Sequence, residues 1–148
     1  MLPDLIIRTL QASDRDDWEV LWLAYLDFYG ARLPASVTAK TFVRNLDPSH
    51  LCQQCLIAEW DGHIVGFTHY IFHAHNWRAE GVVYLQDLYA DPSMRGQGIG
   101  RALIEAVYQR ADDAGCSSVY WMTQEHNYVG RMLYDRVGTK TPFIKYSR

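Results

Sequence analysis

Apolar residues recur along this chain with two different periods, and the period changes mark the elements. Residues 5–10 are a short aliphatic run that reads as a strand. From Ser13, Trp18, Leu21, Trp22, Tyr25 and Tyr29 return at three- and four-residue steps until Gly30. This predicts an amphipathic helix with an aromatic core-facing stripe, Ser13 as its N-cap, and Asp14, Asp16 and Asp17 suiting the positive end of its dipole. A second helix is expected over 35–46. Residues 54–60 and 63–75 flank Asp61-Gly62, the signature of a β-hairpin. Residues 84–90 form an aromatic and aliphatic strand closed by Asp91-Pro92. Ile99, Leu103, Ile104, Val107, Tyr108 and Ala111 then give a helical face, with Arg101, Glu105, Gln109 and Asp112 opposite and Gly115 as the stop. A strand over 117–123, a short helix over 127–134 and a final strand over 142–146 complete the pattern. An antiparallel meander followed by a β–α–β crossover makes this an α+β (mixed α/β) domain spanning 1–148, with helices on the faces of a mixed sheet.

Between the 84–90 strand and the long helix lies Arg95-Gly96-Gln97-Gly98-Ile99-Gly100-Arg101. Glycines let a backbone approach a ligand closely, and the first N–H groups of a helix lack internal partners. With the helix dipole and two flanking arginines, the run is suited to a pyrophosphate. The order of glycines is not the dinucleotide-binding G-x-G-x-x-G, and no Gly-Lys-Ser/Thr follows as in a P-loop.

Composition narrows the field. Hydrophobic residues make up 49% and charged residues 21% of the chain, the balance of a globular protein able to bury a core. A net charge of −3 with no Lys/Arg cluster argues against nucleic acid as a partner. No run approaches the roughly 20 apolar residues of a membrane span, and the N-terminus lacks a basic-then-apolar signal pattern. Three cysteines without such a signal suggest a reducing, cytoplasmic setting. Cys52 and Cys55 supply only two of the four ligands of a structural zinc site. His69, His73 and His75 share one face of a regular strand but have no carboxylate beside them on that strand, so no metal is expected and their role is left open.

The glycine loop resembles the R-x-x-G-x-G coenzyme A signature (Arg95, Gly98, Gly100) of the GCN5-related N-acetyltransferase (GNAT) family. The resemblance covers essentially the whole chain. Tyr84-Leu-Gln-Asp-Leu-Tyr89 resembles the central strand of the diamine/polyamine and yeast Hpa-type acetyltransferases, and Asn127 with Leu133-Tyr134 matches the family's N-x-x-A-x-x-L/F-Y helix, Gly130 standing for its small residue. The resemblance implies a mostly antiparallel sheet of six to seven strands with about four helices. It also implies a last strand at 143–146 that pairs subunits into a homodimer, and transfer of acetyl from acetyl-CoA to a primary amine. The acceptor is a small cationic amine, such as a polyamine or amino acid, or a protein lysine.

Site residues follow from the same resemblance. Arg95, Gly96, Gln97, Gly98, Ile99, Gly100 and Arg101 hold the pyrophosphate. The backbone of Leu88, Tyr89 and Ala90 pairs with the pantetheine arm, which Asn127 and Gly130 meet from the other side. Tyr134 serves the leaving thiolate, and Asp27, Tyr29, Gln86 and Glu125 face the acceptor. One departure matters: the polyamine-type enzymes carry Glu where this chain has Gln86, and an amide cannot take a proton at neutral pH. Asp87, Glu125, His126 or a water chain are the open alternatives for the base. Asp87 would point away from Gln86 in a regular strand, and a bulge would change that. The other class of reading is a catalytically weak acyl-CoA-binding or sensing domain, for which Gln86 is the support.

Overall fold

A computed structural model describes residues 2–47, 49, 50 and 52–148. The aromatic stripe forms α1 (Arg15–Phe28), and α2 spans Ala35–Leu46 as its pattern predicts. Ser13 does not cap α1. A single 3-10 turn, Ala12–Asp14, precedes the helix, and the Asp14 carboxylate accepts the Gln11 N–H at 2.7 Å. The same carboxylate takes a two-pronged contact from Arg8 (2.8 and 2.9 Å), pinning the entry of α1 to the first strand.

The sheet order is β1 (Ile6–Thr9), β2 (Gln53–Trp60), β3 (His63–His73), β4 (Val82–Ala90) and β5 (Val119–Tyr120). The first four pair antiparallel, and β5 joins β4 in parallel after the crossover helix α3 (Ile99–Asp113). Asp61 and Gly62 both have positive φ, as a two-residue hairpin turn between right-twisted strands requires. A last helix, α4, covers Tyr128–Val137.

Two apolar layers sandwich the sheet. Leu103, Ile104, Val107 and Ala111 of α3 pack with Leu56, Val65, Tyr70, Val83 and Leu85 on one face. On the other, Trp18, Trp22 and Leu26 of α1 and Phe42 of α2 pack with Ile57 and Phe67. Burying such side chains contributes about 1.5–3 kcal/mol each, so α1 and α3 are held mainly by these stripes.

Two expectations need correction. The sheet has five strands among the described residues, against six to seven expected, because residues 142–146 form no strand, and residues 117–123 supply only the two-residue β5. The C-terminal segment lacks a partner: Phe143, Ile144 and Tyr146 are 81%, 76% and 88% exposed. A strand exists only by pairing, and this segment lies against no sheet edge of its own chain. The four helices agree with expectation.

Candidate active site

The site is built by a parting of strands. β4 pairs with β3 along its length but with β5 only at Val83–Val119 and Tyr84–Tyr120. The last pair is locked by stacking of Tyr84 on Tyr120 (4.9 Å between centroids), whose hydroxyl lies 2.8 Å from His73 Nε2. Beyond it a cavity opens. Its walls are Leu85, Gln86 and Leu88 of β4, Trp121 and Met122 just past β5, Tyr25 and Tyr29 of α1, Ile104 of α3 and Tyr134 of α4.

At this point β4 carries a bulge. His69 faces Asp87 across the ladder while its neighbour Tyr70 faces Leu85, so Gln86 is the extra residue. Thr68 Oγ1 donates to the Asp87 carbonyl at 2.8 Å and fastens the distorted strand to β3. The consequence is that Gln86 and Asp87, which would diverge in a regular strand, both come to Tyr25. Gln86 lines the cavity beside it, and Asp87 accepts its hydroxyl at 2.7 Å.

Asp87 is buried and ends a chain of polar groups. Trp18 Nε1–H donates to His69 Nε2 at 3.2 Å. An indole nitrogen is only a donor, so Nε2 carries the lone pair and the ring proton sits on Nδ1. Nδ1–H then donates to Asp87 Oδ2 at 2.9 Å, while Oδ1 takes the Tyr25 hydroxyl. Burial, then the Asp87 charge, push the Tyr25 phenol far above its ordinary range. Tyr29 is raised by the same two causes, and Tyr134 by burial and then by Tyr29. All three phenols therefore stay protonated at neutral pH.

The glycine loop follows β4 through a 3-10 turn, Pro92–Met94, shaped by the Asp91 carboxylate accepting from Ser93. Gly96 and Gly98 have φ of +77° and +81°, conformations that L side chains resist, and Gly98 is the N-cap of α3. The first helical bond there is Ala102 N–H to the Gly98 carbonyl, leaving the N–H groups of Ile99, Gly100 and Arg101 outside the ladder. A Cβ built on Gly96 meets no atom within 4 Å, so the loop surface is open. A coenzyme pyrophosphate fits this arrangement: exposed N–H donors at a helix start with Arg95 and Arg101 beside them. Arg101 meanwhile bonds Glu105 at 2.8 Å on the exposed face of α3. Ile99 sends its side chain into the core, so only its backbone is available to a ligand.

Asn127 caps α4, accepting from Gly130 N–H at 3.3 Å and donating to Thr123 Oγ1 at 2.9 Å. Gly100 of α3 leaves room for Leu133, seating α4 on α3, and Trp121 packs edge-on to Tyr134 at 5.7 Å. These contacts direct the Tyr134 phenol into the cavity.

The structure thus brings Gln86, Leu88, Tyr29 and Tyr134 to one cavity and sets Asp87 one hydrogen bond behind it. Asp27, Glu125 and His126 are exposed and line no part of it. The three histidines disperse: His69 is buried at Asp87, His73 meets Tyr120, and His75 packs on Trp77. Among the described residues, no group of three or more potential ligands is arranged to hold a metal. Tyr25, Trp121 and Met122 are site residues that the pattern did not single out. Tyr25 read as core stripe, and only its spacing of four from Tyr29 hinted that the helix end faces a ligand.

The glycine loop at the start of α3 and the forked sheet decide the assignment together with a family model, that of the acetyltransferase (GNAT) family, which matches residues 9–139. The chain belongs to the GNAT family. It is an acetyl-CoA-dependent N-acetyltransferase. Among GNAT relatives, the D-amino-acid N-acetyltransferase HPA3 of Saccharomyces cerevisiae is 37% identical over 145 residues, covering 97% of this chain and 90% of the relative. The thialysine N-epsilon-acetyltransferase of Bos taurus is 35% identical over 77 residues, 52% of this chain and 45% of that one. A solved structure of the aminoglycoside acetyltransferase AAC(6')-Iy with a bisubstrate analog shares the GNAT fold, with a TM-score of 0.85, 19% identity and coverage of 99% and 98%. Among the described residues of this GNAT chain, no helix is long and apolar enough to cross a membrane.

Proposed function

We propose that this N-acetyltransferase acetylates the primary amine of a small molecule of the amino-acid or polyamine class by direct attack, with a protein lysine as the second choice of acceptor. The observation that carries the reading is the cavity at the β4–β5 fork, where Gln86, Tyr25, Tyr29 and Tyr134 converge. The yeast relative named for D-amino acids brings amino acids forward among acceptors.

Acetyl-CoA, when bound, supplies an activated acyl carbon and a thiol leaving group. The residues of this chain do the rest. Arg95 to Arg101 bind the pyrophosphate, and the edge of Leu88 to Ala90, unpaired on the β5 side, offers main-chain groups to the pantetheine amides. Asn127 and Gly130 bound the arm from α4. A backbone N–H near Leu88 faces the developing oxyanion; fixed donors of this kind contribute about 3–4 kcal/mol in other acyl transfers. The Tyr134 phenol, kept protonated by burial, is the donor toward the leaving sulfur. Gln86 and Tyr29 border the acceptor's approach, and Asp87 is the buried carboxylate that receives its proton. No step needs a metal. The sensing alternative has less behind it, since binding alone has no use for a phenol in the cavity.

The test is thiol release from acetyl-CoA with a panel of amino acids of both hands, polyamines and lysine peptides, run on wild type and Tyr134→Phe. Transfer to a small amine is expected, with kcat lowered about 10- to 1,000-fold in the variant at little change in acetyl-CoA KM. Unchanged kcat with chemistry limiting turnover removes Tyr134 from the mechanism.

The reading extends to a homodimer. Phe143, Ile144 and Tyr146 lie in an exposed segment that joins no strand of its own sheet, and a second copy offers that segment a place to pair. Sedimentation should give twice the 17.1 kDa chain mass, and removal of residues 141–148 should return the monomer.

A further inference from the structure

We propose that Tyr25 is a catalytic residue: its phenol oxygen takes a proton from the acceptor nitrogen as the C–N bond forms and passes its own proton to Asp87, which His69 and Trp18 hold in position. The inference rests on the direct-attack reading above and adds the proton's path to it.

Three observations carry it. Among the described residues, Asp87 is the one carboxylate hydrogen-bonded to a cavity-lining side chain, yet it does not itself line the cavity. Among the described residues, Tyr25 alone both lines the cavity and bonds the Asp87 side chain, and its hydroxyl engages no other group. A proton leaving the cavity for Asp87 therefore crosses the Tyr25 oxygen. Finally, the chain is polarised in one direction. Trp18 donates to His69 and His69 donates to Oδ2, which leaves Oδ1, under the Tyr25 hydroxyl, as the oxygen able to gain a proton.

The neighbours suit this task. The titratable groups facing the pair are Tyr29 of α1, Cys55 of β2 (opposite His69 in the ladder), Tyr84 of β4 and His69 itself. No cation is among them, so the negative charge of Asp87 is balanced only by hydrogen bonds. Burial and that charge keep the Tyr25 proton on oxygen in the resting enzyme, so the phenol gives up its proton only as another arrives. The two proton transfers are therefore concerted, with no standing phenolate between them.

The step balances. The amine lone pair forms the C–N bond while the carbonyl π pair moves to oxygen. One N–H bond breaks toward Tyr25 Oη as the Tyr25 O–H bond breaks toward Asp87 Oδ1. On collapse the carbonyl re-forms, the C–S bond breaks and the sulfur takes the Tyr134 proton. Asp87 then loses its proton to solvent and Tyr134 regains one. The products are amide and free thiol. Because the nitrogen becomes acidic only as it bonds to carbon, the acceptor enters as the neutral amine.

The experiment compares wild type with Tyr25→Phe on an amine that the wild type acetylates. Acceptor kcat/KM is expected to fall about 100-fold or more, with acetyl-CoA affinity by calorimetry within twofold. A variant within threefold of wild type overturns the relay and leaves direct attack standing, whereas a wild type inactive on every amine overturns direct attack itself. A proton inventory on the wild type, in mixtures of light and heavy water with a slow acceptor, needs no variant to fold. A curved dependence is expected of two protons in one step, and a straight line overturns the relay. For the positioning residues, nitrogen NMR of the free protein should find His69 protonated at Nδ1 and bare at Nε2, and a proton at Nε2 overturns their assignment. His69→Gln, which keeps a donor and an acceptor, should retain the curved inventory, and His69→Leu should lose it; equal behaviour of the two also overturns that assignment.

Discussion

Asn127 occupies the space that a side chain at position 130 would need: a Cβ built on Gly130 lies 2.6 Å from Asn127 Nδ2 and 3.1 Å from its Cγ. The cap of α4 and the glycine one turn later are therefore one unit. Removing the cap with Asn127→Ala should cost about 1 kcal/mol, which lowers Tm by roughly 2–4 °C in a domain of this size. Gly130→Ala gains about 1 kcal/mol of helix propensity and loses about the same in the displaced cap, so Tm should hardly move. Thermal unfolding of both variants checks the pair, and a large drop for Gly130→Ala would show that Asn127 cannot swing aside.

Gly98 has a second reason to be glycine besides ligand approach. With φ at +81°, any L residue there is strained by about 1–2 kcal/mol before a ligand is considered. Gly98→Ala should fold with a slightly lower Tm. Gly98→Asp should fold as well and lose acetyl-CoA binding, because its carboxylate would face the pyrophosphate. Calorimetry giving the Asp variant near-normal affinity would refute the cradle.

Gln86 sits on the cavity wall where a carboxylate would be able to strip an incoming ammonium. An amide cannot, and the Tyr25–Asp87 pair acts only once attack has begun. Acceptor kcat/KM should climb with pH toward the amine's own pKa, about 10.4 for an alkylamine of the lysine type. Gln86→Glu should shift that limb downward and raise kcat/KM about tenfold or more at neutral pH. A lower amine KM with the limb unmoved would mean that the new charge merely attracts the cation.

Asp14 offers a pH test of the scaffold. Burial alone would raise its carboxyl; the two-pronged Arg8 contact and the Gln11 N–H outweigh it and hold the group below the usual range. A group depressed in the folded state contributes stability above its unfolded pKa of about 3.9 and loses it as pH falls through the folded value. Wild type should exceed Asp14→Asn by about 2 kcal/mol at pH 7, and the gap should close below pH 4. Tm measured against pH for both proteins decides this, a constant gap being the contrary result.

Much of the fold was legible because periodicity reports burial. The 35–46 helix, the Asp61-Gly62 hairpin and the stripe from Ile99 to Ala111 appear where their patterns lie. The failures share a cause: a pattern states that a residue is apolar or able to extend, but not what it meets. Residues 142–146 have strand composition and no strand to join. Ser13 is a good N-cap residue, but the chain enters α1 through a 3-10 turn in which Asp14 does the work. In the site, the glycine turn of Arg95 to Arg101 at the start of α3 is local, so its conformation could be read directly. The Asp87–His69 pair depends on a one-residue bulge between strands 18 positions apart, and Tyr25 reaches Asp87 across 62 positions. Such registers are set by tertiary packing, which local spacing does not encode.

The early departure of β5 leaves the main-chain groups of β4 beyond Tyr84 without a neighbouring strand on that side. An open strand edge is a template for adhesion to other chains, which proteins usually blunt with charge or cover with another segment. In the proposed binding mode, the amide arm of the acyl carrier covers this open stretch. A ligand held this way binds only the folded chain, so the folded population rises with its free concentration by mass action, about 2.7 kcal/mol at a hundredfold excess over Kd. The persistence of this protein in a cell would thus follow the supply of the carrier, acylated or free, because both forms share the pyrophosphate and the amide arm.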